Sequence, residues 1–410
     1  MKEKTINLPE LWMTKKLGDL CDIARGGSPR PIQQYLTNSP DGINWIKISD
    51  ASASSKYIYE TKEKIKPEGV TKSRLVQKDD FLLSNSMSFG RPYIMKTSGC
   101  IHDGWLVLKD KSGLFDQDYL YYFLNSQAAY KQFDNLAAGS TVRNLNTQLV
   151  KNVIIPIPPI EEQKRIVEIL DKAFEGIAQA EANTRRNLIN ARELFDSYLN
   201  QIFTNQHKNW VTNTLDEICI KITDGKHGDC KNQDHSGYYF LSAKDVKNDR
   251  LNYDNARQIT KEDFDETNRR TNLEPFDILV TNSGTIGRTA IAPDDPKTYR
   301  TTFQKSVAIL KPKKEIIDSN FCRFELMANL NKIIAISSGT AQKNLLLRDI
   351  RSFHFSMPSN MKEQKKIVSQ LTKVLDNSQK LETIYQRKLE AIAELKQSIL
   401  EKAFTGQLSQ

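Results

Sequence analysis

The chain of 410 residues is one unit used twice, and this limits its fold more than any other feature of the sequence. Landmarks return in the same order at a near-constant offset, the mark of an internal repeat. Trp12 with Leu17-Gly18-Asp19-Leu20-Cys21 returns 198 residues on as Trp210 with Leu215-Asp216-Glu217-Ile218-Cys219. Trp45-Ile46-Lys47-Ile48-Ser49-Asp50 returns loosely as Phe240-Leu241-Ser242-Ala243-Lys244-Asp245. Asp80-Phe81-Leu82-Leu83-Ser84-Asn85-Ser86 with Gly90-Arg91 returns as Asp277-Ile278-Leu279-Val280-Thr281-Asn282-Ser283 with Gly287-Arg288. Gly139-Ser140 with Asn144-Leu145 matches Gly339-Thr340 with Asn344-Leu345, and Glu162-Gln163-Lys164-Arg165-Ile166-Val167 matches Glu363-Gln364-Lys365-Lys366-Ile367-Val368. Chance does not keep five landmarks in order with so little slippage.

Each unit has two parts. The first mixes short β-branched and aromatic runs (Phe81 to Leu83, Trp105 to Leu108, Ile278 to Val280, Ser306 to Leu310) with Gly and Pro punctuation and a helical patch over Tyr119 to Phe133. That pattern predicts a mixed α and β globular domain. The second part is a helix of roughly forty residues, opening after Pro156-Ile157-Pro158-Pro159 in one copy and Met357-Pro358 in the other, where proline can precede a helix but not continue one. The expected division is 1–160, a helix over 161–203, a second domain over 204–361 and a second helix over 362–410. The fold class is α+β, with two mixed domains in pseudo-twofold repeat.

The helices carry apolar residues in steps of three and four. One seam runs Ile166, Leu170, Ala173, Ile177, Ala180, Thr184, Asn187, Ala191, Leu194, Tyr198. The other runs Ile367, Leu371, Val374, Ser378, Leu381, Tyr385, Lys388, Ile392, Leu395, Ile399 in the same spacing. Such seams let two helices bury a narrow stripe against each other, which predicts an antiparallel coiled coil. The competing reading packs each amphipathic helix on its own domain. Small residues (Ala173, Ala180, Ala191) facing larger ones (Val374, Leu381, Ile392) favour the pair.

Net charge is +9, with 59 Lys and Arg against 50 Asp and Glu. The excess is concentrated in the non-helical stretches: residues 1–160 carry 21 basic against 16 acidic side chains, and 201–361 carry 23 against 20. That is the sign expected of domains facing phosphates. Five cysteines without a CxxC pair fit a reduced compartment, and neither a signal peptide nor a membrane span is read, so a cytoplasmic protein is expected.

Two stretches and an ending carry a family resemblance. Gly139-Ser140-Thr141-Val142-Arg143-Asn144-Leu145 followed by Ile155-Pro156-Ile157-Pro158-Pro159-Ile160-Glu161-Glu162-Gln163-Lys164-Arg165-Ile166, and the ending Ser398-Ile399-Leu400-Glu401-Lys402-Ala403-Phe404-Thr405-Gly406, resemble type I restriction-modification specificity subunits of prokaryotes. One departure is Ser356-Met357-Pro358-Ser359-Asn360, where the first copy has the fuller proline run. The resemblance covers the whole chain. It implies two target recognition domains, each reading one half of a split, asymmetric site in double-stranded DNA, and paired helices acting as a ruler. It implies two docked methyltransferase subunits, which carry S-adenosylmethionine and the chemistry, and restriction or translocase subunits that join them. It implies no cofactor and no catalysis in this chain. Forty residues at 1.5 Å rise give about 60 Å of helix, enough to hold two readers about one turn of B-DNA apart.

The repeated SxxxGR motif, Ser86 to Arg91 and Ser283 to Arg288, follows an expected strand and could aim a guanidinium at phosphate or a guanine edge, although a glycine turn needs no ligand. Arg143 and Lys343 precede Asn144 and Asn344 in Gly-bearing loops suited to phosphate. Arg30, Lys47, Lys226, Arg269 and Arg270 are further candidates for DNA contact, without an order among them. Nucleotide and S-adenosylmethionine cradles are missing: no GxGxxG and no GxxxxGK[ST] is present. Cys219, His227, Cys230 and His235 match no common zinc spacing, and no metal is expected. Two rival readings stay open. Pro40-Asp41 with Glu60-Thr61-Lys62 fits the degenerate PD...(D/E)xK pattern of metal-dependent nucleases, though the second copy does not repeat it. A coiled-coil scaffold would explain the helices but not two basic domains.

Overall fold

Strand Trp105–Asp110 lies inside the main sheet of the first globular domain, and its near-continuous apolar run follows from burial on both faces. In the computed structural model, which describes residues 8–52, 56–85, 90–137, 144–204, 209–247, 249–336 and 344–408, it pairs antiparallel with Cys21–Arg25 on one side and Phe81–Ser84 on the other. Pro92–Met95 and Tyr57–Ile58 complete a five-stranded sheet, the last pair parallel. Side chains alternate across it: Leu82, Tyr93, Trp105 and Val107 face a core with Ile46 and Ile58, whereas Phe81, Leu83, Leu106 and Leu108 face helical residues Tyr119, Phe123 and Phe133. A second five-stranded sheet runs in the order Leu36–Thr37, Glu63–Ile65, Ile43–Ile46, Gly99–Ile101, Arg74–Val76.

The chain divides into two units of contact, one made of residues 1–185 with 387–410, the other of 186–386. Each therefore takes one globular domain and part of each long helix. In the second unit the sheet order Cys219–Asp224, Val307–Pro312, Ile278–Thr281, Thr289–Ile291 repeats that of the first without its last strand. The pair Tyr239–Leu241 and Thr301–Phe303 is parallel, like Ile43–Ile46 and Gly99–Ile101. Each domain is also closed by a two-stranded strap. Met13–Lys16 pairs with Ile154–Ile157, and Trp210–Thr214 with His354–Pro358. The proline segments thus form edge strands before the helices, where a missing N–H is tolerated. The helical patch is two helices, Gln117–Leu124 and Gln127–Ala137, interrupted where Ser126 Oγ accepts the Ala129 N–H at 3.3 Å.

The long helices span Ile160–Thr204 and Met361–Phe404. Within the first unit Lys396 Nζ reaches Glu181 at 2.7 Å and Arg165 donates to the Leu408 carbonyl, so the segments run antiparallel. Within the second, Arg192 meets Glu382 at 3.2 Å and Ser378 Oγ donates to the Ala191 carbonyl. Both helix ends seat an aromatic ring on a domain: Phe404 against Tyr119 and Phe123, Phe203 against Trp210 and Phe321.

Ile166, Leu170, Ile177, Leu371 and Ile392 are buried, and Ala173, Ile367, Val374 and Leu381 are half-buried, as the seam requires. Leu194 and Leu395 are not: they are 45% and 48% exposed. The buried line steps by four from Thr184 to Leu188 and continues through Ala191, Phe195 and Leu199. The second helix makes the same step from Tyr385 to Leu389, passing over the exposed Lys388. A helix of 3.6 residues per turn drifts about 20° per heptad, and one extra step of four restores the face that a strict heptad loses. No described helix is long and apolar enough to cross a membrane.

Candidate nucleic-acid interface

Backbone hydrogen bonds draw several loops to one end of the central sheet in each domain. Strand Phe81–Ser84 ends at Asn85, whose N–H donates to the Gly104 carbonyl at 3.0 Å and whose carbonyl accepts from Leu145 N–H at 2.9 Å. In the second domain Asn282 N–H donates to Ser306 at 3.0 Å and Leu345 N–H donates to Asn282 at 2.8 Å. The loop after the first sheet strand arrives there too: Gly26 N–H donates to Trp105, and Gly225 N–H to Val307. A Cβ on Gly26 would lie 2.1 Å from the His102 carbonyl oxygen, and one on Gly225 would lie 1.9 Å from that of Phe303, so this crossing excludes any side chain.

The SxxxGR hairpin roots at the same end. Ser84 Oγ accepts the Arg91 N–H at 3.0 Å, and Thr281 Oγ1 accepts the Arg288 N–H at 2.9 Å. Gly90 and Gly287 have φ of 73° and 85°, and a Cβ there would strike Phe133 and Leu330 respectively. The glycines are therefore structural, while the arginine side chains are exposed. Arg91 lies over the Tyr93 ring at 5.4 Å, and Ser283 bridges to Asn344. Ser86, Arg143 and Lys343 lie outside the described residues.

The two rims carry different chemistry. In the first domain Asp103 gathers donors: its carbonyl accepts from Arg25 Nε at 2.9 Å and Asn85 Nδ2 at 2.8 Å. Its carboxylate accepts from Ser28 Oγ at 2.7 Å and Arg30 at 3.4 Å. The Ser28 hydrogen bond holds the Asp103 carboxyl below its ordinary pKa. Burial lowers that of His102, whose ring packs against Trp45 and Trp105. Lys47 reaches Glu63 at 2.5 Å. In the second domain Asp224 is buried, bonded to Arg270 and within 3.1 Å of His227. Lys226 reaches Glu266 at 2.9 Å and Asp263 at 3.1 Å, and the Glu266 hydrogen bond raises its pKa. Arg269 is exposed on the helix Lys261–Thr271. The Arg30 pair with Asp103 is exposed, and exposed ion pairs are worth little, so Arg30 can exchange a carboxylate for a phosphate.

Arg30 and Lys47 thus lie near the Asp103 corner, and Lys226, Arg270 and Ser283 near the Asp224 corner, whereas Arg288 lines a separate cavity with Asp196, Leu199 and Leu330 and Arg91 packs over Tyr93. Sequence reasoning missed Arg25, Ser28, His102 and Asp103 in the first domain, and Asn282, Lys305 and Asn344 as site residues in the second. The recurrence of Asn85 as Asn282 and Asn144 as Asn344 was the available signal.

A family model described as the type I restriction modification DNA specificity domain matches residues 9–191 and again 207–391. The EcoBI type I restriction enzyme specificity subunit of Escherichia coli is 23% identical over 436 residues, covering 98% of this chain and 88% of its own. The EcoKI type I restriction enzyme specificity subunit of Escherichia coli strain K12 is 23% identical over 438 residues, covering 98% and 90%. Among solved structures, a chain from work on complex assembly and conformational transition of the type I R-M system superposes with a TM-score of 0.80 at 18% identity, covering 98% of this chain and 100% of that one. The HsdS subunit from Thermoanaerobacter tengcongensis superposes at 0.63 with 17% identity, covering 100% of both. At such identity these superpositions show the fold alone.

Proposed function

The chain belongs to the type I restriction-modification DNA specificity family, and on that premise we propose that each of its two domains reads one half of a split DNA target through the loops gathered at its sheet end. The observation that carries this reading is a charge inversion at matching positions. Arg25 and Asp103 at the first rim are replaced by Asp224 and Lys305 at the second, on the same backbone hydrogen-bond frame. One frame with exchanged donors and acceptors suits two readers of different base sequence.

The long helices set the distance between half-sites and dock two methyltransferase subunits, which bring S-adenosylmethionine; restriction or translocase subunits join that core. Exposed Ile189, Leu194, Ile384 and Leu395 on the helices, between 45% and 56% accessible, supply apolar surface for docking. This chain contributes recognition and no chemistry. The test is target selection from a randomised duplex library by the chain assembled with its methyltransferase partner. One bipartite sequence is expected; a bound pool without sequence preference would refute the reading.

A further inference from the structure

The matching asparagines at the two sheet ends differ in one respect. Asn85 is 2% exposed and its side-chain N–H₂ is used, donating to the Asp103 carbonyl at 2.8 Å. Asn282 is 7% exposed, yet its Oδ1 has no hydrogen-bond partner among the described residues. It borders a cavity of about 220 Å³ lined also by Asp224, His227, Ser283, Lys305 and Asn344. Lys305 stands at this corner in the place of Asp103.

A buried carbonyl oxygen left unpaired is costly, and native structures leave few of them. The missing partner must be a donor. A phosphate offers acceptors only and cannot satisfy Oδ1. The major-groove edge of a base does offer donors, the N6 amine of adenine and the N4 amine of cytosine. We propose that Asn282 is a specificity-determining residue of the second domain, accepting a hydrogen bond from the exocyclic amine of one base in that domain's half-site. Asn85 spends its side-chain donor on the Asp103 carbonyl and holds its loop. The inference rests on the DNA-reading function proposed above.

The experiment uses the full chain assembled with its methyltransferase partner. Target selection is run for the wild type, Asn282→Ala and Asn85→Ala, and binding is measured on selected duplexes whose adenines or cytosines are replaced, one at a time, by analogues lacking the exocyclic amine. Asn282→Ala should relax one position of one half-site, with a loss of preference of about 5- to 150-fold, the range expected for loss of a base contact. At that position the amine-free analogue should weaken wild-type binding and leave Asn282→Ala unaffected. Asn85→Ala should lower the unfolding midpoint and leave the second domain's half-site unchanged. An unchanged target for a folded Asn282→Ala, or equal sensitivity of both proteins to every analogue, would overturn the proposal. Absence of any preference in the wild type would instead sink the DNA-reading function itself.

Discussion

Gln163 holds Asp116: its Oε1 accepts the Asp116 backbone N–H at 2.8 Å, while its Nε2 donates to the Leu114 and Pro158 carbonyls at 2.9 and 2.8 Å. Gln364 repeats this with Asp318, Ile316 and Pro358 at 2.9, 3.0 and 2.9 Å. Both glutamines are fully buried. The Glu-Gln helix start is thus a clamp between long helix and domain. Gln163→Leu strips three backbone groups of their partner and should cost on the order of 1–3 kcal/mol, read as a lower urea midpoint. A midpoint equal to wild type would mean that these groups find other partners.

The shifted seam gives an opposed pair of expectations. Phe195→Ala removes a buried ring packed on Phe324 and Leu371 and should destabilise by about 3–5 kcal/mol. Leu194→Ala, one residue earlier and exposed, should stay within about 0.5 kcal/mol. Thermal unfolding of both variants decides; the reverse order would restore the strict heptad.

Glu325 is buried with Oε1 accepting the Ser356 N–H at 2.8 Å and Oε2 unpaired among the described residues. Burial pushes its carboxyl up to about 9. An acid whose folded pKa exceeds its unfolded value, near ~4.3, holds its proton more tightly when folded. Its contribution therefore falls as pH rises from the unfolded value towards about 9 and levels off beyond. Glu325→Gln should flatten that slope and be the more stable protein at the alkaline end. Stability curves that run parallel across the range would show that Glu325 is ionised in the fold.

Arg91 and Arg288 head their hairpins with exposed guanidinium groups. Replacing either with Gln should weaken DNA binding by the assembled complex. A phosphate contact would lower affinity evenly and reduce the salt slope by about one, whereas a base contact would relax one position. Unaltered affinity and slope in both variants would leave these arginines with structural roles only.

The repeat was legible because its landmarks are the residues with structural work. Gln163 and Gln364 clamp helices, the Asn85 and Asn282 carbonyls accept the N–H of Leu145 and Leu345 respectively, and Gly90 and Gly287 fit where no Cβ can. Beyond Thr184 the expected seam still meets the buried face at Ala191 and Ile392 but misses Leu188, Phe195 and Leu199, since a fixed heptad takes no account of helix drift. The helix break at Ser126 escaped because a serine that caps the next helix reads locally like any polar face residue. The rims were least legible. Arg25 meets Asp103 across 78 positions, and only the strand order brings them together.

The central claim is that the two domains read independently. Replacing residues 1–150 with the same region of a relative, assembling the chimaera with its methyltransferase partner and selecting targets from a randomised library tests it directly. The account predicts one new half-site, the other half-site unchanged and the spacer between them preserved. A change in both half-sites, or in neither, would contradict it.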